Sequence, residues 1–154
     1  MKKLKFVLSI ILFISVSSCG YSRLNDQSNE LRLNMIEING DKRLAYILKN
    51  NLSIISKTES KNTYDLSINL TNSKSSKIKD TTGKTIRFNL VLNGDLKLTD
   101  SNKVIYNRIF TVNNDYDVSS NHSDTIKNEK NSMQNNIDTL SDAITKYIQL
   151  INLN

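Results

Sequence analysis

Ile86-Arg87-Phe88-Asn89-Leu90-Val91-Leu92-Asn93-Gly94-Asp95-Leu96-Lys97-Leu98 is the stretch that decides the fold. Ile86, Phe88, Leu90, Leu92, Leu96 and Leu98 sit two apart among mostly polar neighbours. Successive side chains of a strand point to opposite faces, so this pattern reads as a half-buried strand. Gly94 interrupts the apolar series and predicts a bulge or a twist. Asp100-Ser101-Asn102-Lys103 then reads as a hairpin turn. The return strand runs from Val104 to about Val112, with Tyr106, Phe110 and Val112 on one face and Ile105 and Ile109 on the other.

Working outward, Tyr64, Leu66, Ile68 and Leu70 alternate in the same way and predict another half-buried strand. Asn72 to Gly83 is rich in Ser, Lys and Thr and reads as a loop. Further upstream, Leu31 to Ile38 is a short strand with imperfect alternation, and Asn39-Gly40-Asp41 is a turn. Asp41 is placed to cap a helix whose Leu44, Ile47, Leu48, Leu52 and Ile55 recur at helical spacing, from Asp41 to about Ser56. Downstream, Asn113 to Asn121 reads as a polar connection. Ile126, Met133, Ile137, Leu140, Ile144, Tyr147, Ile148 and Ile151 predict one long amphipathic helix from about Ser123 to Ile151.

The order is therefore β-α-β-β-β-α. A strand-helix-strand unit demands a right-handed parallel crossover, while the hairpins impose antiparallel pairs. Each helix has a single apolar stripe, so both are expected on one face of the sheet. The expected fold is α+β: a two-layer sandwich of a four-stranded mixed sheet under two helices. The opposite sheet face would carry Arg87, Asn89, Asn93, Asp95 and Lys97.

The first 18 residues have the layout of a secretory signal. Lys2, Lys3 and Lys5 form a positive n-region. Phe6 to Val16 is apolar apart from Ser9 and Ser15, and its 11 residues fall well short of a membrane span, which needs roughly 20. Val16-Ser17-Ser18-Cys19 matches a bacterial lipobox, with small residues before a thiol that accepts a diacylglyceryl group. Several acyl chains on Cys19, each buried CH₂ contributing about 0.8 kcal/mol, would make a lasting anchor. Gly20 after the cysteine, in place of Asp, favours the outer membrane, with the domain on its periplasmic side. The expected organisation is a signal peptide at 1–18, a lipidated tether at 19–30 and one folded domain at 31–154.

Removing the three signal lysines lowers the charge from +6 to +3, a mild excess that does not point to nucleic acid. Cys19 is the only cysteine, so no intramolecular disulfide can form and the domain must rest on a packed core. The only histidine, His122, lies in a polar stretch and reads as a capping or linker residue. A zinc site cannot be assembled from one His and one lipidated Cys. Asp115 and Asp117 form a carboxylate pair of a commonplace kind, and no general base accompanies the many Ser and Thr. No catalytic residue, metal or cofactor is expected. One electrostatic feature stands out: Lys74, Lys77, Lys79, Lys84 and Arg87 fall within 14 residues, offset only by Asp80. Such a run is either a solvated loop or a site for clustered phosphates.

Thr85 to Leu90, Leu96 to Asp100, Lys103-Val104-Ile105, Asp115-Tyr116-Asp117-Val118 and Leu140 to Ile144 together resemble the LptE family, particularly its alphaproteobacterial members. The start Cys19-Gly20-Tyr21 is similar to the Cys-Gly-aromatic start common there. The resemblance covers most of the mature chain by pattern and order. It implies a non-enzymatic lipoprotein that plugs the LptD β-barrel, assists its assembly and contacts lipopolysaccharide in transit. It also implies basic contacts to lipopolysaccharide near the tip before the third strand and near the start of the last helix. Lys77, Lys79, Lys84 and Arg87 lie in or beside the first region, and Lys127 lies close to the second. The competing expectation is an outer-membrane lipoprotein that activates a cell-wall synthase, which would present a partner face with exposed apolar residues.

Overall fold

The third strand sits inside the sheet and organises the rest. The computed structural model describes residues 31–53 and 62–151. Strands β1 (Leu31–Asn39), β2 (Asn62–Lys79), β3 (Thr85–Asp100) and β4 (Lys103–Asp117) form one sheet in the order β1-β2-β3-β4. Helix α1 (Lys42–Ser53) follows β1, and helix α2 (His122–Leu150) follows β4. β1 and β2 are parallel; the other two pairs are antiparallel. This is the expected α+β order and mixed sheet. The signal peptide, Cys19, the tether and the expected end of the first helix beyond Ser53 lie outside the described residues.

One core joins the two layers. Leu66, Ile68 and Leu70 of β2 and Leu92, Leu96 and Leu98 of β3 point to the same side. Leu44, Leu48 and Leu52 of α1 and Ile137, Leu140, Ile144 and Ile148 of α2 close over them. Both helices thus cover one sheet face, as their single stripes require. α2 has 29 residues, a length of about 43 Å, which lets it follow the long strands along much of their run. Asp41 begins α1 by accepting from Arg43 N at 3.0 Å and Leu44 N at 3.1 Å through Oδ1. Asn121 begins α2, its side chain accepting from Ser123 N, with exposed His122 the first helical residue.

Two irregularities explain sequence patterns that do not alternate cleanly. β1 shifts register between Leu33 and Met35. The extra residue, Asn34, flips the parity, so Leu33 and then Ile36 and Ile38 turn toward the helices. Asn34 also donates from Nδ2 to Asp65 at 3.0 Å. In β4 the register jumps from Thr99↔Val104 to Leu98↔Tyr106. Ile105 is the extra residue there and packs against the core, contrary to the outward face expected for it. Ile109 does face outward and is 67% exposed.

Three expectations are corrected. Gly94 makes no bulge: Leu70↔Gly94 and Gly94↔Phe110 sit in unbroken ladders. Its missing side chain instead admits the helix, because a Cβ there would lie 3.3 Å from a Leu140 methyl. Of the expected Asn72 to Gly83 loop only Asp80 to Gly83 is a turn, since β2 continues to Lys79 paired with β3, with register shifts between Ser76 and Ile78 and between Ile78 and Lys79. The poor strand formers of that stretch are held by a partner strand rich in β-formers, and the pairing satisfies their backbone groups. Likewise β4 runs to Asp117, five residues beyond the expected Val112. Gly40, at φ +122°, is irreplaceable for a different reason: a Cβ would lie 2.5 Å from the Leu70 carbonyl oxygen.

Leu140 is fully buried beside Gly94. Leu140→Ala should lower unfolding free energy by roughly 2–5 kcal/mol in urea titrations. A loss below about 0.5 kcal/mol, the scale of ordinary surface substitutions, would mean that the stripe faces solvent.

A polar and basic end of the sheet

The antiparallel pairing sends the β2–β3 turn, the end of β4 and the start of α2 to the same end of the molecule. Val118 N donates to Ile86 O at 2.9 Å, fixing the chain as it leaves β4 for the helix. The turn itself is built by Asp80. Its Oδ1 accepts from Thr82 N at 2.9 Å, Thr82 Oγ1 at 2.6 Å and Lys84 N at 3.0 Å. Gly83 takes φ +84°, a conformation that disfavours other residues. The Thr82 hydroxyl, the Lys84 amide and the other donors hold the Asp80 carboxyl below its ordinary value.

The five basic residues singled out in the sequence divide into two groups. Three are engaged. On the bare sheet face, Lys77 Nζ donates to Asp115, which also accepts from Asn89 Nδ2 at 2.9 Å. Arg87 holds Asp117 with two bonds, Nε to Oδ1 at 2.6 Å and Nη2 to Oδ2 at 3.2 Å. The two residues are direct cross-strand partners. On the helix side, Lys74 Nζ donates to Glu129 Oε2 at 2.7 Å. Lys74 also lies 4.5 Å from the Phe88 ring centre and 5.2 Å from that of Tyr116. Tyr116 donates its hydroxyl to the same Glu129 oxygen at 2.9 Å, and the two rings stack at 5.5 Å.

Lys79 and Lys84, by contrast, flank the turn and make no ion pair among the described residues. Lys127 is likewise exposed and without an ion pair, in the first turns of α2 at the same end. The structure therefore brings together all five candidate lysine and arginine positions, Lys77, Lys79, Lys84, Arg87 and Lys127, but leaves only Lys79, Lys84 and Lys127 with uncommitted charge. Sequence reasoning missed Glu129, Phe88 and Tyr116 as the partners of Lys74. Their separations in the chain carried no local signal. The Asp115–Asp117 spacing did hold one: two residues apart on a strand means one face, ready for two cations across a ladder.

The carboxylates respond to these partners. The bond from Lys77, then that from Asn89, holds Asp115 low, and Arg87 does the same for Asp117. Burial pushes Glu129 up, but the hydrogen bonds from Lys74 and Tyr116 outweigh it and leave Glu129 below its ordinary value.

Elsewhere on the bare face, Thr111 Oγ1 donates to Asn93 Oδ1 at 2.8 Å. Among the described residues no group of His, Cys, Asp and Glu side chains could hold a metal ion, and no helix is long and apolar enough to cross a membrane.

The fold is similar to that of several bacterial lipoproteins. A minor lipoprotein from Acinetobacter baumannii superposes with a TM-score of 0.61 at 19% identity, over 78% of this chain and 90% of its own. Lipoprotein B from Nitrosomonas europaea gives 0.63 at 14% identity, over 82% and 89%. Rare lipoprotein B from Shewanella oneidensis gives 0.50 at 11% identity, over 75% and 90%. At these identities the likeness is one of fold. No protein-family profile and no curated protein sequence matches the chain.

Carboxylates held low in the folded state contribute stability that is present above their unfolded pKa and lost as pH falls through the folded value. Urea midpoints should therefore hold down to about pH 5 and decline below about pH 4, where unfolded carboxylates protonate. Asp115→Asn, Asp117→Asn and Glu129→Gln together should flatten that decline. An unchanged acid limb in the triple variant would mean that these pairs do not form in solution.

Proposed function

We propose that this chain is a non-enzymatic lipoprotein of the outer membrane, anchored on its periplasmic side through lipid on Cys19. In this reading it plugs and helps to assemble an LptD-like β-barrel and contacts lipopolysaccharide on its way to the cell surface. The signal-like N-terminus and lipobox support the anchor. The LptE-like sequence pattern, together with a fold shared with bacterial lipoproteins, supports the family.

The observation that carries the plug reading is the two-sidedness of the domain. Both helices cover one sheet face, and the other presents mainly Asn, Thr, Ser, Asp and Lys side chains, several tied by cross-strand bonds, with Ile109 an exposed apolar exception. The lumen of a large outer-membrane barrel is polar and wet, and a body seated there needs such a surface. A lipid-facing or obligate apolar interface needs the opposite. The uncommitted Lys79, Lys84 and Lys127 at one end supply point charges for lipid A phosphates. Several weak, screened contacts suit a site that must release its ligand as well as hold it.

The reading is tested by affinity capture of the lipidated protein from detergent-solubilised membranes. A large outer-membrane β-barrel should co-purify. Capture of a penicillin-binding synthase without a barrel would replace this account with the synthase-activator reading. Cys19→Ala should leave the precursor uncleaved or release the protein from the membrane fraction.

Ligand contact is tested separately with purified domain and lipopolysaccharide. Lys79→Glu, Lys84→Glu and Lys127→Glu together should weaken binding, and binding by the wild type should fall as salt rises. Lys77→Glu does not belong in that set, because it would set two acids against each other at Asp115. Undiminished affinity in a triple variant with native circular dichroism would assign these lysines to solubility alone.

A further inference from the structure

We propose that the edge of β1 away from β2, which pairs with no other strand among the described residues, accepts an extended, acidic segment of a partner protein as a fifth strand. A cleft of about 640 Å³ borders this edge. Its lining includes the consecutive residues Met35 to Gly40. Alternate side chains of a strand point to opposite faces, so a space touching every residue in turn must run along the backbone edge, not over one face. About half of those residues turn their N–H and C=O groups toward that edge.

The opposite sheet edge is handled differently. There Asn128 donates to Asp117 O at 3.1 Å and Ser132 to Asp115 O at 3.4 Å, so α2 helps to cover the end of β4. Among the described residues no corresponding bond from another element reaches the backbone of Met35–Asn39 on the side away from β2. An exposed strand edge without such cover is a template for pairing.

Helix α1 forms the second wall and specifies the chemistry. Lys42, Ala45, Tyr46 and Lys49 recur at helical spacing and all line the cleft. Tyr46 is 68% exposed and Met35 is 56% exposed, giving the cleft two apolar contact points beside the edge. Lys42 and Lys49 make no ion pair among the described residues, and α1 contains no acidic residue. Glu37 is the only carboxylate in the lining, and it accepts from Asn39 Nδ2 at 3.3 Å. The complement is therefore an extended segment with carboxylates for the two lysines and apolar side chains for Met35 and Tyr46. The backbone would supply affinity, and the alternating side chains selectivity. This site lies on a different strand from the basic end and does not depend on the barrel reading.

The test uses the mature lipidated chain in detergent and a fluorescein-labelled heptapeptide alternating glutamate with valine. The same peptide with lysine in place of glutamate is the control. The glutamate peptide should bind, bind less tightly in high salt, and slow hydrogen exchange at β1 amides. Lys42→Glu with Lys49→Glu should weaken it about tenfold, and Tyr46→Ala should weaken it independently. Circular dichroism checks that both variants fold. Absence of binding, equal binding of the lysine peptide, protection confined to other strands, or undiminished affinity in the folded double variant would overturn the proposal. Protection of β1 that grows with protein concentration in the absence of peptide would also overturn it, in favour of pairing between two copies.

Discussion

The contact on which the structure depends is the seating of α2 across the middle of β3. Leu140 and Ile144 reach Gly94, where the absence of a Cβ lets the helix come close enough to bury Leu92, Leu96 and Leu98 completely. β3 is also the strand that pairs with both hairpin neighbours over nearly their whole lengths. Its even-numbered side chains thus set the helical layer, and its backbone holds the two outer strands of the antiparallel part. α1 and β1 complete the core from the other side through Leu44, Leu48, Leu52 and Leu33.

That arrangement explains why the far end of the hairpin is polar yet ordered. Beyond Lys74, which pairs with Leu90, the β2 side chains are small or polar apart from Ile78, which is exposed, and they make no core. The helix compensates with specific bonds. Asn136, itself buried, donates to the Leu90 carbonyl at 3.1 Å. Glu129 gathers Lys74 and Tyr116 onto one oxygen. On the uncovered face the same end is held by cross-strand ion pairs. Each exposed pair contributes little by itself, typically below about 1 kcal/mol. Their effect is to choose a register and to use up charge. After Asp115, Asp117 and Glu129 have taken their partners, the uncommitted lysines singled out at this end are Lys79 and Lys84 at the turn and Lys127 in the first turns of α2.

Much of this was legible in the sequence because hydrophobic period reports one-sided burial directly. The alternation in Tyr64–Leu70 and Ile86–Leu98 and the threes and fours from Ile126 to Ile151 gave the element types, their order and the two layers. What the period cannot report is pairing enforced by a partner. Asn72–Lys79 has no apolar alternation and is a strand only because β3 offers a ladder, and the last third of β4 is a strand for the same reason. The parity flips at Asn34 and Ile105 left only a blemish in the pattern. At the basic end, the cluster itself was visible, since charge runs are local. Its division into paired and unpaired members was not, because Lys74–Glu129 and Lys77–Asp115 join residues 55 and 38 apart.

The functional account rests on the bare sheet face being a surface that lies against something wet and polar. That claim is tested most directly in intact cells. A photo-crosslinking amino acid placed at Asn69, Lys97 or Ile109, all on that face, reports its neighbour without purification. The account predicts crosslinks to a large outer-membrane β-barrel from these positions, and none to it from Tyr46 on the outer side of α1. Crosslinks from the bare face to a periplasmic enzyme, or a barrel reached only from α1, would contradict it.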